Sequence, residues 1–438
     1  MVFGIDLGTT NSLIGVGENL LTDLVSSSVS LKTKQQVGRD VVEGEVIASY
    51  KTDMSMGPAG EVPIKCSSII LRTLAQMATE RTGEIVSDVV ISVPAYFSTS
   101  QREAVYAAAK DAGLNAVCLI NEPTAAALYT CRTLSDVVVV YDLGGGTFDV
   151  SIVDTRTGRY EVRATDGIVL GGDDLDLALC KVVETEAHIK IRYLDEMNRK
   201  ILKKRMRAAK EEIQRKRCDV YVELGEFGIS QPYLLTVDKY KEVVADVFGE
   251  TIEMTQSIIG KNIVYGDTPK ITFIGGSSNC PYLKEMLKEE LELEEIPCDV
   301  NPDLIVAKGV ALYADMVNKG TAFSIVSDVT KGVCIEDSLG KSIFLIEANT
   351  IVPCSGETTV RNSMTSSTLS LKIYQGDSII AAHNDYAGTM VYEYGEEVEA
   401  GEGLVAVTAE VSIDGVITIK ARDIYGLEED EQIIHLRR

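Results

Sequence analysis

The sequence predicts two parts, an α/β part that is followed by an all-β part. Up to about residue 319, strand-like and helix-like segments alternate, which is typical of α/β proteins. After Gly320 the helical patterns end, and short strands with alternating apolar residues follow, which predicts antiparallel sheets. The length of 438 residues also exceeds what one compact domain usually holds. We therefore expect at least two domains.

Three stretches of the first part follow a strand–turn–helix pattern. The strand of SDVVISVPAYF precedes a helix in STSQREAVYAAAKDAGL, which has a capping box of Ser98 and Gln101 and a stop at Gly113. AVCLINEPTAAALYT places Glu122 at the end of a strand, before a helix that a proline begins. In KITFIGGSSNCPYLKEMLKEEL a Gly-Gly turn separates strand and helix. A further helix is expected to begin near Ser67.

The second part begins after a short, partly apolar segment, NKGTAFSIVSDVT, which we expect to dock against a neighbour. In LVAVTAEVSIDGVITIKARD, two alternating runs flank Asp414-Gly415, the pattern of a type I′ hairpin. These boundaries predict one domain over residues 1–320, a linker over 321–330 and a β domain over 331–438.

The composition limits the class of protein. A net charge of −24 argues against a nucleic-acid partner, because phosphate contacts need a basic surface. The basic stretch at 203–217 is expected to be a solvated helix face, and a cation or two of it could serve an anionic ligand. No apolar run could span a bilayer and no secretory signal is visible, so we expect a cytoplasmic protein with no membrane contact. Nine cysteines without CxxC spacing indicate reduced thiols, and only three histidines disfavour a histidine-built metal site.

Two stretches share one unusual plan. FGIDLGTTNSLIGV near the N-terminus and VYDLGGGTFDVSIV from Val140 each run through an apolar strand, Asp, Leu, Gly, a small residue and Thr into another strand. This similarity indicates an internal duplication. Glycines let a ligand approach the backbone amides closely, and the threonine hydroxyl adds a donor. Two such turns that face each other would clamp a polyphosphate, and Asp6 and Asp142 would hold Mg²⁺, largely through water.

Other interpretations of the turns are less consistent with the sequence. A single glycine-rich turn is more often a plain tight hairpin, but two copies with matched Asp and Thr disfavour that interpretation. The chain has no GxxxxGK[ST], which excludes a P-loop, and no GxGxxG opens a helix, which excludes a dinucleotide-binding fold. Gly275-Gly276-Ser277 and Gly171-Gly172 are further candidates for a nucleotide site, although each alone is more often structural.

Seven motifs, in this order along the chain, resemble those of the DnaK-type 70-kDa heat-shock chaperones: GIDLGTTNS, VISVPAYF, INEPTAAAL, YDLGGGTFDVSIV, LGGDDLD, NPDLIVAKGVALYA and VSIDGVITIKARD. The first six resemble the family's ATPase domain, which implies a duplicated actin-like (ribonuclease H-like) fold. The seventh resembles the family's β sandwich, which binds extended apolar peptides. The resemblance implies a slow ATPase that uses ATP/ADP and Mg²⁺. It also implies unfolded or extended peptides, a J-domain protein and a nucleotide exchange factor as partners.

The resemblance assigns roles to matching positions. Phosphate contacts are implied for Gly8, Thr9, Thr10, Asn11, Gly144, Gly145, Gly146 and Thr147, and contacts to the waters of Mg²⁺ for Asp6 and Asp142. The implied catalytic set is Lys51, Glu122, Asp142, Thr147 and Asp149, with Lys51 beside the terminal phosphate. The implied ribose and adenine side is Gly171, Gly172, Lys210, Gly275, Gly276, Ser277 and Asp303. Pro94 and Pro123 match prolines that relay the nucleotide state between domains.

Several features depart from the family pattern. Arg207 stands where a glutamate usually holds the ribose, Glu211 where an arginine is common, and Asn279 where an arginine stacks on adenine. These departures predict weaker ATP binding or a relaxed preference for the base. The stretch between Ser12 and Lys51 is short, which implies a trimmed peripheral lobe. The sequence ends without the family's helical lid, so we expect fast, weak peptide exchange.

A second function stays open at this point. The ATPase part could be a nucleotide-dependent scaffold or assembly module whose β domain binds one dedicated partner. A sugar or small-molecule kinase on the same fold is disfavoured by the C-terminal β part and by the match at Lys51.

Overall fold

The computed structural model describes the chain apart from residues 32–35, 38–45, 56–57, 96, 133–135, 189–190, 265, 323–325, 413–415, 425–431 and 436–438. Within the described residues, the helices are α1 (Glu61–Thr82), α2 (Thr99–Asp111), α3 (Glu122–Thr130), α4 (Gly172–Glu186), α5 (Glu196–Lys216), α6 (Val237–Asn262), α7 (Pro281–Leu291) and α8 (Pro302–Asn318). None of these helices is long and apolar enough to cross a membrane.

The strands of the first part are β1 (Val2–Leu7), β2 (Asn11–Val16), β3 (Asn19–Leu20), β4 (Val25–Ser26), β5 (Val29–Ser30), β6 (Gln36–Val37), β7 (Val46–Ile47), β8 (Asp88–Val93), β9 (Asn115–Asn121), β10 (Val137–Leu143), β11 (Phe148–Asp154), β12 (Tyr160–Ile168), β13 (Val220–Val222), β14 (Tyr233–Leu235), β15 (Lys270–Ile274) and β16 (Glu294–Glu295). Those that follow are β17 (Val326–Thr330), β18 (Val333–Glu336), β19 (Ser342–Ile346), β20 (Thr350–Val352), β21 (Cys354–Arg361), β22 (Ser366–Gln375), β23 (Asp385–Val398), β24 (Leu404–Val411), β25 (Ile417–Asp423) and β26 (Gln432–His435).

Two mixed sheets of the first part follow the same strand pattern. In one sheet, in the order β3-β2-β1-β8-β9, β1 is antiparallel to β2 and parallel to β8, which is parallel to β9. In the other, in the order β16-β15-β10-β11-β12-β17-β20, β10 is antiparallel to β11 and parallel to β15, which is parallel to β16. Each sheet therefore carries one of the two glycine turns between its first two antiparallel strands. Strands β10 and β11 are buried at every residue, as their continuous apolar runs predict.

Helices α3 and α8 pack together between the two sheets. Their shared core takes Val90 and Ile120 from the first sheet and Val138 and Val140 from the second. A Cβ on Gly309 of α8 would overlap the backbone of α3, so glycine is needed for the two helices to approach so closely. This packing sets the distance between the two glycine turns.

The local predictions for helix ends were mostly right. At α2, the Ser98 side chain accepts from the amide of Gln101, and Oε1 of Gln101 accepts from the amide of Ser98 at 2.9 Å, which confirms the capping box. The prediction that a helix begins near Ser67 is wrong, because α1 begins at Glu61. Pro63 suggests a break in the sequence, but it lies in the first turn of α1, where backbone amides need no partner within the helix.

The second part is a sandwich of two antiparallel sheets, in the orders β19-β18-β22-β23 and β21-β24-β25-β26. Its core includes Ile335, Ile373, Val407 and Ile419, drawn from both sheets. Strands β24 and β25 pair as an antiparallel hairpin, while the predicted Asp414-Gly415 turn lies outside the described residues.

The second half of the predicted linker forms a strand, β17, that joins the two parts. Strand β17 pairs in parallel with β12 and antiparallel with β20, so backbone hydrogen bonds connect the second mixed sheet to the sandwich segment. Two side chains of the sandwich reach the first part as well. The amide of Thr99 donates to Oε1 of Gln375 at 2.9 Å, and the amide of Thr165 donates to Oδ1 of Asn349 at 3.2 Å.

Candidate active site

The two glycine turns that the sequence predicts to face each other are in contact. A Cβ on Gly145 would overlap Oγ1 of Thr10, so a glycine is required where the second turn meets the first. The amide of Gly144 donates to the carbonyl of Thr147 at 2.9 Å, which closes the second turn. The contact brings the predicted phosphate residues of both turns to one place: Gly8, Thr9, Thr10, Asn11, Gly144, Gly145, Gly146 and Thr147.

The Gly-Gly turn before α4 lies directly beside them. The amide of Gly172 donates to the carbonyl of Gly144 at 3.0 Å, and Gly171 lies against the backbone of Gly145. From α5, Nζ of Lys210 donates to the carbonyl of Gly172 at 3.1 Å. These three predicted ribose-side residues are therefore neighbours of the phosphate turns.

The turn after β15 completes the group. Gly275 has a φ of 79° and lies against the carboxylate of Asp142, while Gly276 lies against the carboxylate of Asp303. Ser277 lies against the Gly-Gly turn that precedes α4. The structure thus gathers every residue predicted for the ribose and adenine side around the two glycine turns.

Four acidic side chains are buried beside the turns. Asp6, Glu122, Asp142 and Asp149 are each at most 8 % exposed. The strand register places Asp142 of β10 directly opposite Asp149 of β11. The hydroxyl of Ser92, on β8, donates to Oδ1 of Asp6 at 2.8 Å. Asp6 and Asp142 are each the last residue but one of the strand that leads into a glycine turn, and Glu122 begins α3.

Burial and mutual repulsion favour the protonated form of two of these acids. Burial, followed by repulsion from Glu122, raises the pKa of Asp6 to about 7. Burial, followed by repulsion from Glu122, Asp149 and Asp6, raises the pKa of Asp142 well above its ordinary value. The four acids therefore outnumber the buried cation that pairs with them, which is the electrostatic setting for a cationic ligand.

That buried cation is Lys51. Its ammonium group lies on the 3-10 turn Tyr50–Asp53 and pairs with Oε1 of Glu122. It also lies 5.8 Å from the centre of the Phe97 ring. A surface position would be the ordinary expectation for a single lysine, but Lys51 is 3 % exposed. The structure therefore brings Lys51 together with the acids that the sequence groups with it.

The donor set suits a hydrated magnesium ion. Within the described part of the chain, no three His, Cys, Asp or Glu side chains converge closely enough to bind a metal directly. Mg²⁺ binds oxygen and keeps several waters, so separate carboxylates such as Asp6 and Asp142 suit it through water. Oδ1 of Asn11 is a buried acceptor to which no described group donates, and a metal-bound water could do so.

Ion pairs between α4 and α5 surround the residues that are predicted for the ribose side. Nε of Arg207 lies 2.7 Å from Oδ2 of Asp176, and its Nη2 pairs with Oδ1 of Asp173. Nζ of Lys210 lies 2.6 Å from Oδ1 of Asp176, which is fully buried. The guanidinium of Arg207 therefore forms ion pairs with two acids of α4.

The two other departures from the family pattern are exposed. Glu211 lies on the solvent side of α5, and Asn279 ends the 3-10 turn Gly276–Asn279. Asn279 lines a cavity of about 520 Å³ together with Arg217, Phe273 and Lys284. The amide of Asn279 cannot supply the stacking cation that an arginine would.

Sequence reasoning missed several residues that contact the predicted ones: Ser49, Ser92, Phe97, Asp173 and Asp176. Ser92 could have been noticed as the one hydroxyl in the apolar run VVISV. Asp173 and Asp176 lie in the LGGDDLD motif, but which of its acids face the site depends on the start of α4 at Gly172. The two predicted relay prolines flank the same region, since Pro94 follows β8 and Pro123 lies in the first turn of α3.

Fold and site together define a two-part protein, in which an α/β part with paired glycine turns and buried acids is joined by a strand to a β sandwich. The family model described as Hsp70 protein matches residues 42–437, and the chain belongs to this family. The match confirms the resemblance in the motifs, and Hsp70 proteins are chaperone-type ATPases. The matched range begins after the first glycine turn, so the assignment of Asp6 and of that turn to the site rests on their contacts.

Proposed function

We propose that the chain is an ATP-dependent chaperone of the DnaK type. Its α/β part would hydrolyse ATP slowly to ADP and phosphate, and its nucleotide state would modulate how the sandwich binds extended apolar peptides. The observation that carries the proposal is the burial of Lys51 with four carboxylates where two matched glycine turns meet. A structural ion pair would need one acid, whereas this site holds four.

The proposal includes the finer fold. Residues 1–320 would be a duplicated actin-like domain, 321–330 the linker and 331–438 the peptide-binding domain, in a cytoplasmic protein. The repeated strand pattern of the two mixed sheets supports the duplication. The strand pairing of β17 supports a linker that docks on the α/β part.

Each side chain has a role that its position allows. The amides of the second glycine turn and the hydroxyls of Thr10 and Thr147 would donate to phosphate oxygens. Lys51 would lie beside the terminal phosphate and offset the charge that develops there. Glu122 holds Lys51, and Asp149 would orient the attacking water. Bound Mg²⁺, held through water by the acids at the ends of β1 and β10, would supply further positive charge.

Contacts between the two parts support a coupled mechanism. The sandwich is connected to β12 and α2 through strand β17, Gln375 and Asn349. A conformational change in the α/β part can therefore alter the sandwich. In the sandwich, Leu339 and Ile379 are 79 % and 76 % exposed on two loops that backbone hydrogen bonds hold together. Apolar side chains exposed in this way suit contact with an apolar peptide. Unfolded segments, a J-domain protein and a nucleotide exchange factor are the proposed partners.

The phosphate site is tested by hydrolysis. Asp142→Asn keeps the shape of the side chain and removes a charge that its neighbours repel, so the folded protein should be at least as stable as before. Hydrolysis of ATP should nevertheless fall at least about 100-fold. Lys51→Ala should also abolish hydrolysis. The control is Lys270→Ala, because Lys270 pairs with Asp136 at the opposite end of the same sheet. Hydrolysis that survives both substitutions at the site would show that the phosphates bind elsewhere.

Peptide binding separates the chaperone from the second candidate, a nucleotide-dependent scaffold with one dedicated partner. A fluorescent, extended apolar peptide is titrated with and without ATP. General binding that ATP weakens supports the chaperone, and no binding to any such peptide supports the scaffold. Phosphate transfer to a small acceptor instead of water would replace both with a kinase.

A further inference from the structure

A hydrogen bond beside Lys51 joins the two halves of the α/β part, and we call the region between these halves, where the two glycine turns meet, the cleft. The hydroxyl of Ser49 donates to Oδ2 of Asp173 at 3.1 Å, over a separation of 124 residues. Ser49 immediately precedes the 3-10 turn that carries Lys51, whereas Asp173 lies in the first turn of α4 on the other side of the cleft. The bond therefore ties the Lys51 turn to the half of the protein that carries the second glycine turn.

The backbone conformation of Ser49 is unfavourable for a residue that has a side chain. Its φ of 55° and ψ of 23° lie in the left-handed region, which residues with a Cβ seldom adopt. Such a conformation persists only where its surroundings hold it, and it is typical of functional positions. The residue after it, Tyr50, is buried and anchors the turn on the near side. Ser49 supplies the anchor on the far side.

Other contacts hold Asp173 in position as the acceptor of the hydrogen bond from Ser49. Its Oδ1 pairs with Nη2 of Arg207, and its Oδ2 lies 3.5 Å from Nζ of Lys203. Its own amide donates to the carbonyl of Gly145 at 2.7 Å, so the residue is also fixed to the second glycine turn. The two cations offset the charge of Asp173, which would otherwise repel phosphate. Arg207, a departure from the family pattern, thereby has a structural explanation.

We propose that Ser49 and Asp173 form a clasp, which holds the Lys51 turn in place across the cleft and which must open before nucleotide can leave. Both are positioning residues, because they act through the turn that carries Lys51. A short 3-10 turn has few hydrogen bonds of its own, so its place depends on the contacts at its ends. This inference rests on the proposed ATPase function and adds a control point for nucleotide release.

Ser49→Gly is the sharpest test, because glycine adopts the left-handed backbone freely and lacks only the hydroxyl. We expect a fluorescent ADP analogue to dissociate about 5- to 10-fold faster, and single-turnover hydrolysis to slow several-fold, at an unchanged thermal midpoint. Ser49→Asn, which tolerates the same backbone and keeps a donor, should restore part of both rates. The matched control is Glu292→Gly, which relieves a φ of 51° at the end of α7, outside the cleft, and should alter neither rate.

The outcomes separate the clasp from the function on which it rests. If the unaltered protein binds nucleotide and Ser49→Gly releases it at the same rate, the clasp is wrong and the ATPase proposal stands. If the unaltered protein binds no nucleotide, the ATPase proposal fails. Hydrogen exchange over Tyr50–Met54 then decides the clasp by itself, because faster exchange in Ser49→Gly supports it and equal exchange overturns it.

Discussion

Lys51 and Glu122 form an ion pair that is nearly closed to solvent, with side chains 3 % and 11 % exposed. Lys51 comes from the 3-10 turn Tyr50–Asp53 and Glu122 from the first residue of α3, 71 positions further along the chain. Asp6 and Asp142 feel the same ammonium group, which lowers the pKa of each against the effect of burial. One cation therefore supports both the fold and the proposed chemistry.

Removing this cation should destabilise the protein more than removing a surface lysine. We expect Lys51→Met to lower the free energy of unfolding by about 3 kcal/mol, because it leaves Glu122 buried without its partner. Adding Glu122→Gln should recover part of that loss. Urea unfolding of the two single variants and the double variant measures both effects. Lys270→Met is the control, because its pair with Asp136 is about 30 % exposed on each side and should cost less than about 1 kcal/mol. Equal losses at Lys51 and Lys270 would contradict the role of burial.

The contribution of Asp6 to the stability of the metal-free protein should fall as the pH rises from about 4 to about 7. The pKa of Asp6 is raised from 3.8 to about 7, so the folded state favours its protonated form and the ionised form is penalised. The penalty is absent below about pH 4, grows up to about pH 7 and is then constant. Asp6→Asn keeps an acceptor for Ser92 and removes the penalty for ionising this side chain in the folded state. The variant should match the unaltered protein near pH 4 and exceed it by on the order of 2–4 kcal/mol at pH 8.

Urea unfolding in chelator at several pH values checks this expectation. The quantity to compare is the difference between Asp6→Asn and the unaltered protein, because acids that do not interact with Asp6 contribute equally to both. A difference that does not change between pH 4 and pH 8 would show that Asp6 is not held protonated in the fold.

The matched motifs allowed the glycine turns to be predicted, because a turn is set by residues that are close in sequence. The partners of the site residues could not be predicted in the same way. Ser92 reaches Asp6 across 86 residues, through the pairing of β8 with β1. The sequence likewise marks Arg207 as unusual, but its two acidic partners depend on how α4 packs on α5. Local sequence patterns do not predict how distant strands pair or how helices pack on each other.

The protein should bind nucleotides with little preference for the base, because Arg207 and Asn279 replace residues with which the family contacts ribose and adenine. Arg207 is engaged by Asp173 and Asp176, and Asn279 offers no cation to stack on a purine. We expect ATP and GTP affinities within about 10-fold of each other. Asn279→Arg should raise ATP affinity by about 5- to 10-fold through a cation–π contact. Calorimetry measures both, with Asn19→Arg, in an exposed edge strand, as the control for added charge. An ATP preference above about 100-fold in the unaltered protein would contradict this prediction.

Gln375 offers a direct test of communication between the two parts. It ends β22 of the sandwich, and its Oε1 accepts from the amide of Thr99 at 2.9 Å, with both residues at most 4 % exposed. Thr99 begins α2, two residues after Phe97, whose ring faces the Lys51 ammonium. A hydrogen bond of this kind contributes about 0.5–1.5 kcal/mol, so this contact should favour the docked arrangement measurably.

We therefore expect Gln375→Ala to weaken the effect of ATP on peptide binding, while hydrolysis without peptide stays within about twofold. A fluorescent apolar peptide, titrated with and without ATP, gives the ratio of the two affinities, and that ratio should move toward one by about 5-fold or more. Gln76→Ala is the matched control, because Gln76 is exposed on α1 and bonds only its neighbour Glu80 among the hydrogen bonds described for it. An unchanged ratio in Gln375→Ala would mean that Gln375 does not carry the coupling, which would then pass through the pairing of β17 and the Asn349 contact that the substitution leaves in place.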